Sequence, residues 1–238
     1  MKKQPTPAQI WDDEAALLTL PEENVFSSVR VVSPAEISEK PVVFRGRSQS
    51  KLKHELKMIG RQKNAAEFLG TISPGFYVTG LTMGQFSLID IIREVVAQIG
   101  RVHLSMSTWT VADADLSELQ RMVDDGTFLS IRMLIDATFQ KRQPTMTAHI
   151  RQRFGAESIV ITRNHAKLLL ISNEQYKIYC ETSMNLNFNP RIETISLRDD
   201  PEIFDFFQKA MDLIFIHHGN QEGQDYKKAL RQFAELQF

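Results

Sequence analysis

A histidine and a lysine two positions apart, His165 and Lys167, are the residues of this sequence best suited to chemistry. An imidazole can attack phosphorus, and an ammonium group can hold the non-bridging oxygens of a phosphate. A carboxamide can also donate to such oxygens, and Asn185 follows in the same stretch, which ends at Glu193. These residue types predict a phosphate-handling site between His165 and Glu193.

Two short apolar runs are expected to position these residues. Residues 168–171 follow the lysine directly, and a second, aromatic-rich run covers residues 176–180. The polar residues between them predict a turn, so the two runs form a β-hairpin whose second strand brings Ser183 and Asn185 back beside the histidine. The histidine and the lysine are expected to point the same way, because side chains alternate faces along a strand.

The pattern resembles the motif of the phospholipase D-like superfamily: a histidine, any residue, a lysine, four residues, an aspartate and then a Gly-Ser-x-Asn turn. His165, Lys167, Ser183 and Asn185 match this motif. Glu193 lies where the family has a glutamate that supports the histidine. The resemblance implies an α/β fold, an α-β-α sandwich with a mixed sheet, and one motif copy per chain, as in an endonuclease-like member.

Two positions depart from the family motif. Ser172 stands where the family has the aspartate, and Thr182 stands where it has the glycine. The first change is expected to remove a structural hydrogen bond rather than a reacting group. The second is expected to crowd a tight turn, because threonine does not take positive φ cheaply. Beyond the motif, the resemblance covers approximately residues 75 to 216.

The resemblance also implies a mechanism with two histidines, one that attacks phosphorus to form a phosphohistidine and one that protonates the leaving oxygen. A single motif copy then predicts a homodimer whose subunits share one site across a two-fold axis. Lys167 and Asn185 would hold phosphate oxygens, with help from Ser183. Glu193 would orient His165 by accepting its other ring hydrogen. This scheme requires neither a metal nor another cofactor.

Strands and helices alternate through the region that the resemblance covers, as in an α/β fold. The helix that ends near Val123 is expected to begin with Asp115 or Ser117 as its N-cap. By analogy with the family, Ser107 and Trp109 would border the pocket at the carboxyl end of a strand, although Trp109 would equally well fill core space. Strands are predicted at 76–80, 101–110, 129–135, 158–161 and 194–197, and helices at 87–99, 115–123, 145–154 and 201–218.

Positive charge is concentrated in residues 45–63, where seven Lys and Arg residues stand against one acid, Glu55, for a net charge of +6. Such a patch is typical of proteins that bind phosphate backbones, although a solvated helix with an apolar stripe gives the same pattern. The candidate substrate-binding residues of this segment are Arg45, Arg47, Lys51, Lys53, Lys57, Arg61 and Lys63.

The chain divides by composition into four parts. We expect an acidic, proline-containing arm at residues 1–44, a basic helical segment at 45–70, a phospholipase D-like domain at 71–218 and a helical tail at 219–238. The 42% hydrophobic content of the 238 residues supports a globular core. The single cysteine, Cys180, excludes an internal disulfide and is expected to be a buried structural thiol.

Several classes of function are excluded by what the sequence lacks. It has no Gly-x-Ser-x-Gly elbow, no P-loop and no clustered set of metal ligands. No apolar run is long enough to span a membrane and no secretion signal is evident, so a cytoplasmic location is predicted. The sequence therefore predicts a metal-independent nuclease or phosphodiesterase that acts on DNA. The alternatives are a nucleic-acid-binding protein that has lost turnover and, third, a phospholipid hydrolase with an apolar mouth near Trp109.

Overall fold

The computed structural model of the chain describes residues 43–44, 53–57 and 64–218. Most of the predicted arm, much of the basic segment and the tail from residue 219 lie outside the described residues. The strands are β1 (Val43–Phe44), β2 (Lys53–Lys57), β3 (Phe76–Thr82), β4 (Val102–Thr108), β5 (Phe128–Asp136), β6 (Ile159–Thr162), β7 (Leu168–Ser172), β8 (Lys177–Thr182) and β9 (Glu193–Asp199). The helices are α1 (Ala65–Leu69), α2 (Leu88–Ile99), α3 (Asp113–Asp124), α4 (Ala137–Arg142), α5 (Pro144–Phe154) and α6 (Pro201–His218).

These strands form one mixed sheet in the order β1-β2-β3-β9-β8-β7-β4-β5-β6. β2 runs parallel to β3, and β4, β5 and β6 are parallel neighbours. From β3 through β9, β8 and β7 to β4, each strand is antiparallel to the next. The predicted hairpin is confirmed, since β7 and β8 are its two strands.

The sheet separates two hydrophobic clusters. The larger one packs the buried faces of α1 to α5 against one side of the sheet. The smaller one packs α6 against the other side. Neighbouring strand residues divide between them: Leu169 belongs to the larger cluster, and Leu168 and Leu170 belong to the smaller. This layering confirms the predicted α/β sandwich with a mixed sheet.

Helix α2 shows how the local sequence sets an element's limits. The Asp90 carboxylate accepts hydrogen bonds from the Ser87 N–H at 2.9 Å and from the Ser87 hydroxyl at 2.8 Å, which stabilises the helix start. Gly100 ends the helix with φ at +84°, in the left-handed region that favours glycine. Its N–H donates to the Val96 carbonyl at 2.9 Å.

Cys180 is fully buried in the larger cluster, as predicted for a structural thiol. Burial, with a smaller effect from the charge of Glu181, raises the pKa of this thiol well above its ordinary value of 9.0. The thiolate, which is the reactive form, is therefore suppressed. No helix among the described residues is long and apolar enough to cross a membrane.

Two local predictions are wrong. Residues 53–57 form strand β2 where a basic helix was expected, because they pair along β3. Residues 43–44 form β1, which pairs with β2. Helix α3 begins before both of its predicted caps: Ala112 is the N-cap, and Asp113 and Asp115 lie in the first turn, where acidic side chains suit the helix dipole. The four domain boundaries stay a prediction.

Candidate active site

The predicted site residues gather at one end of the sheet. β3, β4, β5, β6 and β8 run in one direction and finish there, whereas β7 and β9 run in the other direction and begin there. We call this the site end and the other the opposite end. The strand-terminal residues at the site end are Thr82, Thr108, Asp136, Thr162, Leu168, Thr182 and Glu193.

The histidine and lysine of the motif lie just before β7, not within it. The strand starts at Leu168, so the prediction that His165 and Lys167 share a strand face is wrong. The His165 side chain is exposed and that of Lys167 is half-buried. The Lys167 ammonium donates to the His165 carbonyl at 3.1 Å. The two functional groups therefore reach solvent from one short loop, which leaves the imidazole accessible to a large substrate.

Ser183 follows β8 and is fixed by the start of β9. Its hydroxyl donates to the Glu193 carboxylate and accepts from the Thr194 N–H, at 2.9 Å from that nitrogen. This pairing disagrees with the role predicted for Glu193, because no hydrogen bond joins its carboxylate to the His165 ring. Within one subunit, Glu193 holds Ser183 instead of orienting the histidine.

The Thr182 departure from the family motif does not create a strained turn. Thr182 is the last residue of β8, where the backbone is extended, so the expected crowding at positive φ does not arise. Its hydroxyl donates to the Thr194 carbonyl at 2.7 Å and accepts from the Met184 N–H at 3.0 Å. Ser172, the other departure, closes β7 at the opposite end of the sheet, far along the strand from the histidine.

Asn185 lies beside the end of β4. Its side-chain oxygen accepts from the backbone N–H of Trp109 at 3.3 Å. This orientation assigns the amide nitrogen as the group that remains to donate elsewhere. The Trp109 indole is half-buried, and its ring centre lies 6.3 Å from that of His165. Trp109 therefore lies near the histidine, and its role at the edge of a substrate pocket stays a prediction.

Arg142, at the end of α4, places a further positive charge in this region. Its guanidinium carbon lies 4.2 Å from the centre of the Trp109 ring, a cation–π contact. Arg142 also influences Asp136. Burial would raise the pKa of the Asp136 carboxyl, but hydrogen bonds from Thr138 and the Asn164 backbone, with the charge of Arg142, hold that pKa below its ordinary value of 3.8. The sequence prediction missed Arg142 because it missed α4.

A groove of about 350 Å³ opens beside the motif. Lys167 and Ser183 both line it, so the structure brings these two predicted residues to one cavity. Its wall is rich in hydroxyl groups, and two of them, from Thr79 and Ser196, lie 2.8 Å apart in a hydrogen bond. The remaining lining residues are Tyr77, Glu181, Thr182, Thr194 and Ile195.

Ser107 does not border the pocket as predicted. It is fully buried, and its hydroxyl donates to the Ala166 carbonyl at 2.9 Å and accepts from the Asn164 side chain at 2.8 Å. It therefore supports the loop that carries the histidine. Asn164, which precedes His165 directly, was the second residue that sequence reasoning missed.

The basic residues upstream are only partly placed. Lys53 and Lys57 lie in β2, next to β3, whose Tyr77 and Thr79 line the groove. Arg45, Arg47, Lys51, Arg61 and Lys63 fall outside the described residues. Within the described part of the chain, no group of three or more His, Cys, Asp or Glu side chains is arranged to hold a metal ion.

No protein-family model and no curated protein matches the chain. Solved structures do match. Polyphosphate kinase from Porphyromonas gingivalis is 13% identical over 62% of this chain and 28% of its own, with a TM-score of 0.41. Nuc from Salmonella typhimurium, described as a phospholipase D family member, is 16% identical over 63% of this chain and 97% of its own, with a TM-score of 0.39. NucT from Helicobacter pylori is 12% identical over 58% of this chain and 95% of its own, with a TM-score of 0.42.

A phospholipase D family member is thus among the structures to which the chain is similar. The chain spans less than a third of the length of polyphosphate kinase. All three identities are 16% or less, and all three TM-scores are below 0.5.

Proposed function

We propose that this chain is a phosphodiesterase that cleaves DNA through a phosphohistidine intermediate, in a site shared by two subunits. The observation that carries the proposal is the arrangement at the site end. An exposed imidazole, His165, lies on the same short loop as Lys167, and Lys167 shares a groove with Ser183. This combination suits attack on phosphorus beside donors for its oxygens.

The reaction takes place in two steps, formation of the phosphohistidine and its hydrolysis. A ring nitrogen of His165 attacks phosphorus, and a P–N bond forms as the P–O bond to the leaving sugar oxygen breaks. That oxygen takes a proton from a second imidazole. Water then attacks phosphorus and the P–N bond breaks. The second imidazole accepts a proton from the attacking water, which restores its starting charge. No electron transfer or metal is needed for either step, in keeping with the resemblance to the phospholipase D-like superfamily.

Two side chains are suited to the charge that develops on the phosphoryl oxygens. The Lys167 ammonium supplies a positive charge at the groove. The side-chain oxygen of Asn185 accepts from the backbone N–H of Trp109, so its side-chain nitrogen can donate to a phosphate oxygen. Donors that are already in place at the transition state lower the barrier more than donors that must reorganise. Lys167 and Asn185 are therefore the groups that we assign to the phosphate.

A second copy of the chain would supply the second imidazole. The loops at the site end carry the apolar surface that an isologous interface needs. Met83, Phe188 and Ile192 are 51%, 63% and 63% exposed. These loops also touch each other, since a Cβ added to Gly84 would lie 2.6 Å from the Pro190 Cα. This exposed apolar group at the site end of the sheet supports the homodimer.

DNA is the substrate that the charge distribution favours. Residues 45–63 carry a net charge of +6, and β2, which contains two of these cations, pairs with the groove-lining strand β3. A phosphate backbone that enters the groove would therefore pass close to β2. The single buried cysteine suits the reducing, cytoplasmic setting in which we place this activity.

Incubation with DNA in EDTA tests the proposal. The wild-type protein is expected to cleave, and His165→Asn is expected to abolish cleavage. His103→Asn is the matched control, because His103 is also an exposed histidine but lies at the opposite end of the sheet, beside the Ser130 hydroxyl. Absence of cleavage by the wild-type protein, or equal loss in both variants, would overturn the proposal.

A DNA-binding protein without turnover is the second candidate, and one observation favours it. The Glu193 carboxylate accepts from Ser183, and within the described residues no hydrogen bond orients the His165 ring. A nucleophile that lacks an orienting acceptor is poorly prepared for attack. Salt-sensitive binding with no cleavage, unchanged in His165→Asn, would identify this function.

A further inference from the structure

The backbone that carries His165 and Lys167 precedes strand β7, and the Lys167 carbonyl accepts from the backbone N–H of Thr182 at 3.2 Å. β7 begins at Leu168, and residues 163–167 belong to no strand. A loop held only at its ends would let the reacting side chains shift, and a misplacement of about 1 Å can cost on the order of 100-fold in rate. Hydrogen bonds from elsewhere in the fold must therefore set the course of this loop.

Ala166, between the histidine and the lysine, is held at both of its backbone polar groups. Its N–H donates to the side-chain oxygen of Asn164 at 3.1 Å. Its carbonyl accepts from the Ser107 hydroxyl at 2.9 Å. Each residue has only two soft backbone dihedrals. Hydrogen bonds at both backbone groups of Ala166 therefore fix the orientation of the residues on either side, His165 and Lys167.

Asn164 connects this clamp to two strands of the sheet. Its side-chain nitrogen donates to the Ser107 hydroxyl, near the end of β4, at 2.8 Å. Its backbone N–H donates to the carboxylate of Asp136, the last residue of β5, at 2.9 Å. Ser107 is fully buried and Asp136 is 7% exposed, so water competes little for these hydrogen bonds.

The donor and acceptor roles in this chain of hydrogen bonds are also fixed. The Ser107 hydroxyl donates its single hydrogen to the Ala166 carbonyl, so it accepts from Asn164. The Asn164 side chain must then donate with its nitrogen and accept with its oxygen. An ionised aspartate of the same shape has no hydrogen to donate, and would leave either Ser107 or Ala166 without its partner.

We propose that Asn164 is a positioning residue of the active site, which sets the placement of His165 and Lys167 through the Ala166 peptide. Its effect on catalysis rests on the proposed phosphodiesterase function. Its effect on the loop does not. Asn164 acts through another residue, whereas His165 and Lys167 contact the phosphate.

Asn164→Asp tests the proposal, with Ser107→Ala as an independent break in the same chain of hydrogen bonds. Asn173→Asp is the matched control. Asn173 lies in the β7–β8 turn at the opposite end of the sheet, where its side chain donates to the Ile99 carbonyl at 2.9 Å. Its oxygen accepts from the N–H groups of Gln175 and Tyr176, both at 2.9 Å. It thus makes a comparable set of hydrogen bonds away from the site.

Two measurements are made on each variant: hydrolysis of bis(4-nitrophenyl) phosphate and the backbone ¹⁵N order parameter of Ala166. We expect Asn164→Asp and Ser107→Ala to lower kcat about tenfold or more with KM changed by less than about twofold. The order parameter is expected to fall from about 0.85 towards 0.6. Asn173→Asp is expected to leave both quantities as in the wild type.

An unchanged Ala166 order parameter in Asn164→Asp would overturn the inference, as would an equal loss of kcat in Asn173→Asp. If the wild-type protein hydrolyses no phosphodiester, the proposed function fails. The order parameter then decides by itself whether Asn164 positions the loop. The two failures are therefore distinguishable.

Discussion

The Arg142 guanidinium carbon lies 4.2 Å from the centre of the Trp109 ring, and that ring is 6.3 Å from the His165 imidazole. A permanent positive charge is therefore held beside the proposed nucleophile by an aromatic side chain. Arg142 is exposed, so it can meet a phosphate without losing a buried partner. We therefore predict that Arg142 contacts the substrate backbone, in addition to the cations predicted from the sequence.

Replacing Arg142 with glutamine is expected to weaken DNA binding and its dependence on salt. Loss of one phosphate contact makes the slope of the log of the association constant against the log of the salt concentration less negative by about 1. Fluorescence anisotropy of a labelled single-stranded oligonucleotide measures the slope, in a His165→Asn background that prevents cleavage. Arg101→Gln is the control, because Arg101 is exposed at the opposite end of the sheet. Equal slopes for the two variants would contradict the assignment.

The regular part of the fold could be predicted because its signals are local. Helix α2 carries a repeated apolar face, a capping serine and a terminal glycine within one continuous stretch. Helix α4 gives no such signal, since it has six residues and buries only Phe139. Strand β2, Lys-His-Glu-Leu-Lys, has one apolar residue and owes its conformation to pairing with β3. Tertiary contacts decided both elements, and the sequence does not display those contacts.

The sequence places the motif residues in one stretch but does not show what they contact. The spacing of His165 and Lys167 predicts the reacting groups. Ser107 was expected to border the pocket by analogy with the family, but β4 is covered on both faces there and Ser107 is fully buried. The partner of Glu193 was assigned from the family resemblance, whereas the register of β8 and β9 delivers Ser183 to it. Such pairings depend on register, which a single sequence does not fix.

Thr182→Gly would restore the family motif, yet we expect it to destabilise the protein. The threonine hydroxyl makes two hydrogen bonds that join β8 to β9 and to the following turn. Their loss, together with the backbone freedom of glycine in a strand, costs about 1–3 kcal/mol of unfolding free energy. Urea denaturation measures this loss. Thr182→Ser keeps the hydroxyl and is expected to stay within about 0.5 kcal/mol of the wild type; a glycine variant as stable as wild type would refute the role.

Asp136 is expected to make the unfolding free energy of the protein fall in acid. Its pKa is held below the ordinary value of 3.8, so in the folded state it binds its proton only at lower pH than in the unfolded state. Its contribution to stability is therefore complete above about pH 5 and is lost as the pH falls below 4 towards the folded pKa. Asp136→Asn removes the titrating group. Unfolding free energies measured from pH 6 to pH 3 should fall less steeply for this variant, and parallel curves would contradict the prediction.

Charges placed on the exposed apolar loops are expected to separate the proposed dimer and remove its activity together. In Phe188→Asp with Ile192→Asp, two side chains that are each 63% exposed become carboxylates, whose burial in an interface is costly. Light scattering should report a monomer, and hydrolysis of bis(4-nitrophenyl) phosphate should fall about 100-fold or more, the contribution of a general acid. Leu129→Asp is the control, because Leu129 is 45% exposed near the start of β5, at the opposite end of the sheet. A fully active monomer would show that one subunit is sufficient, and a double variant that stays dimeric would place the interface elsewhere.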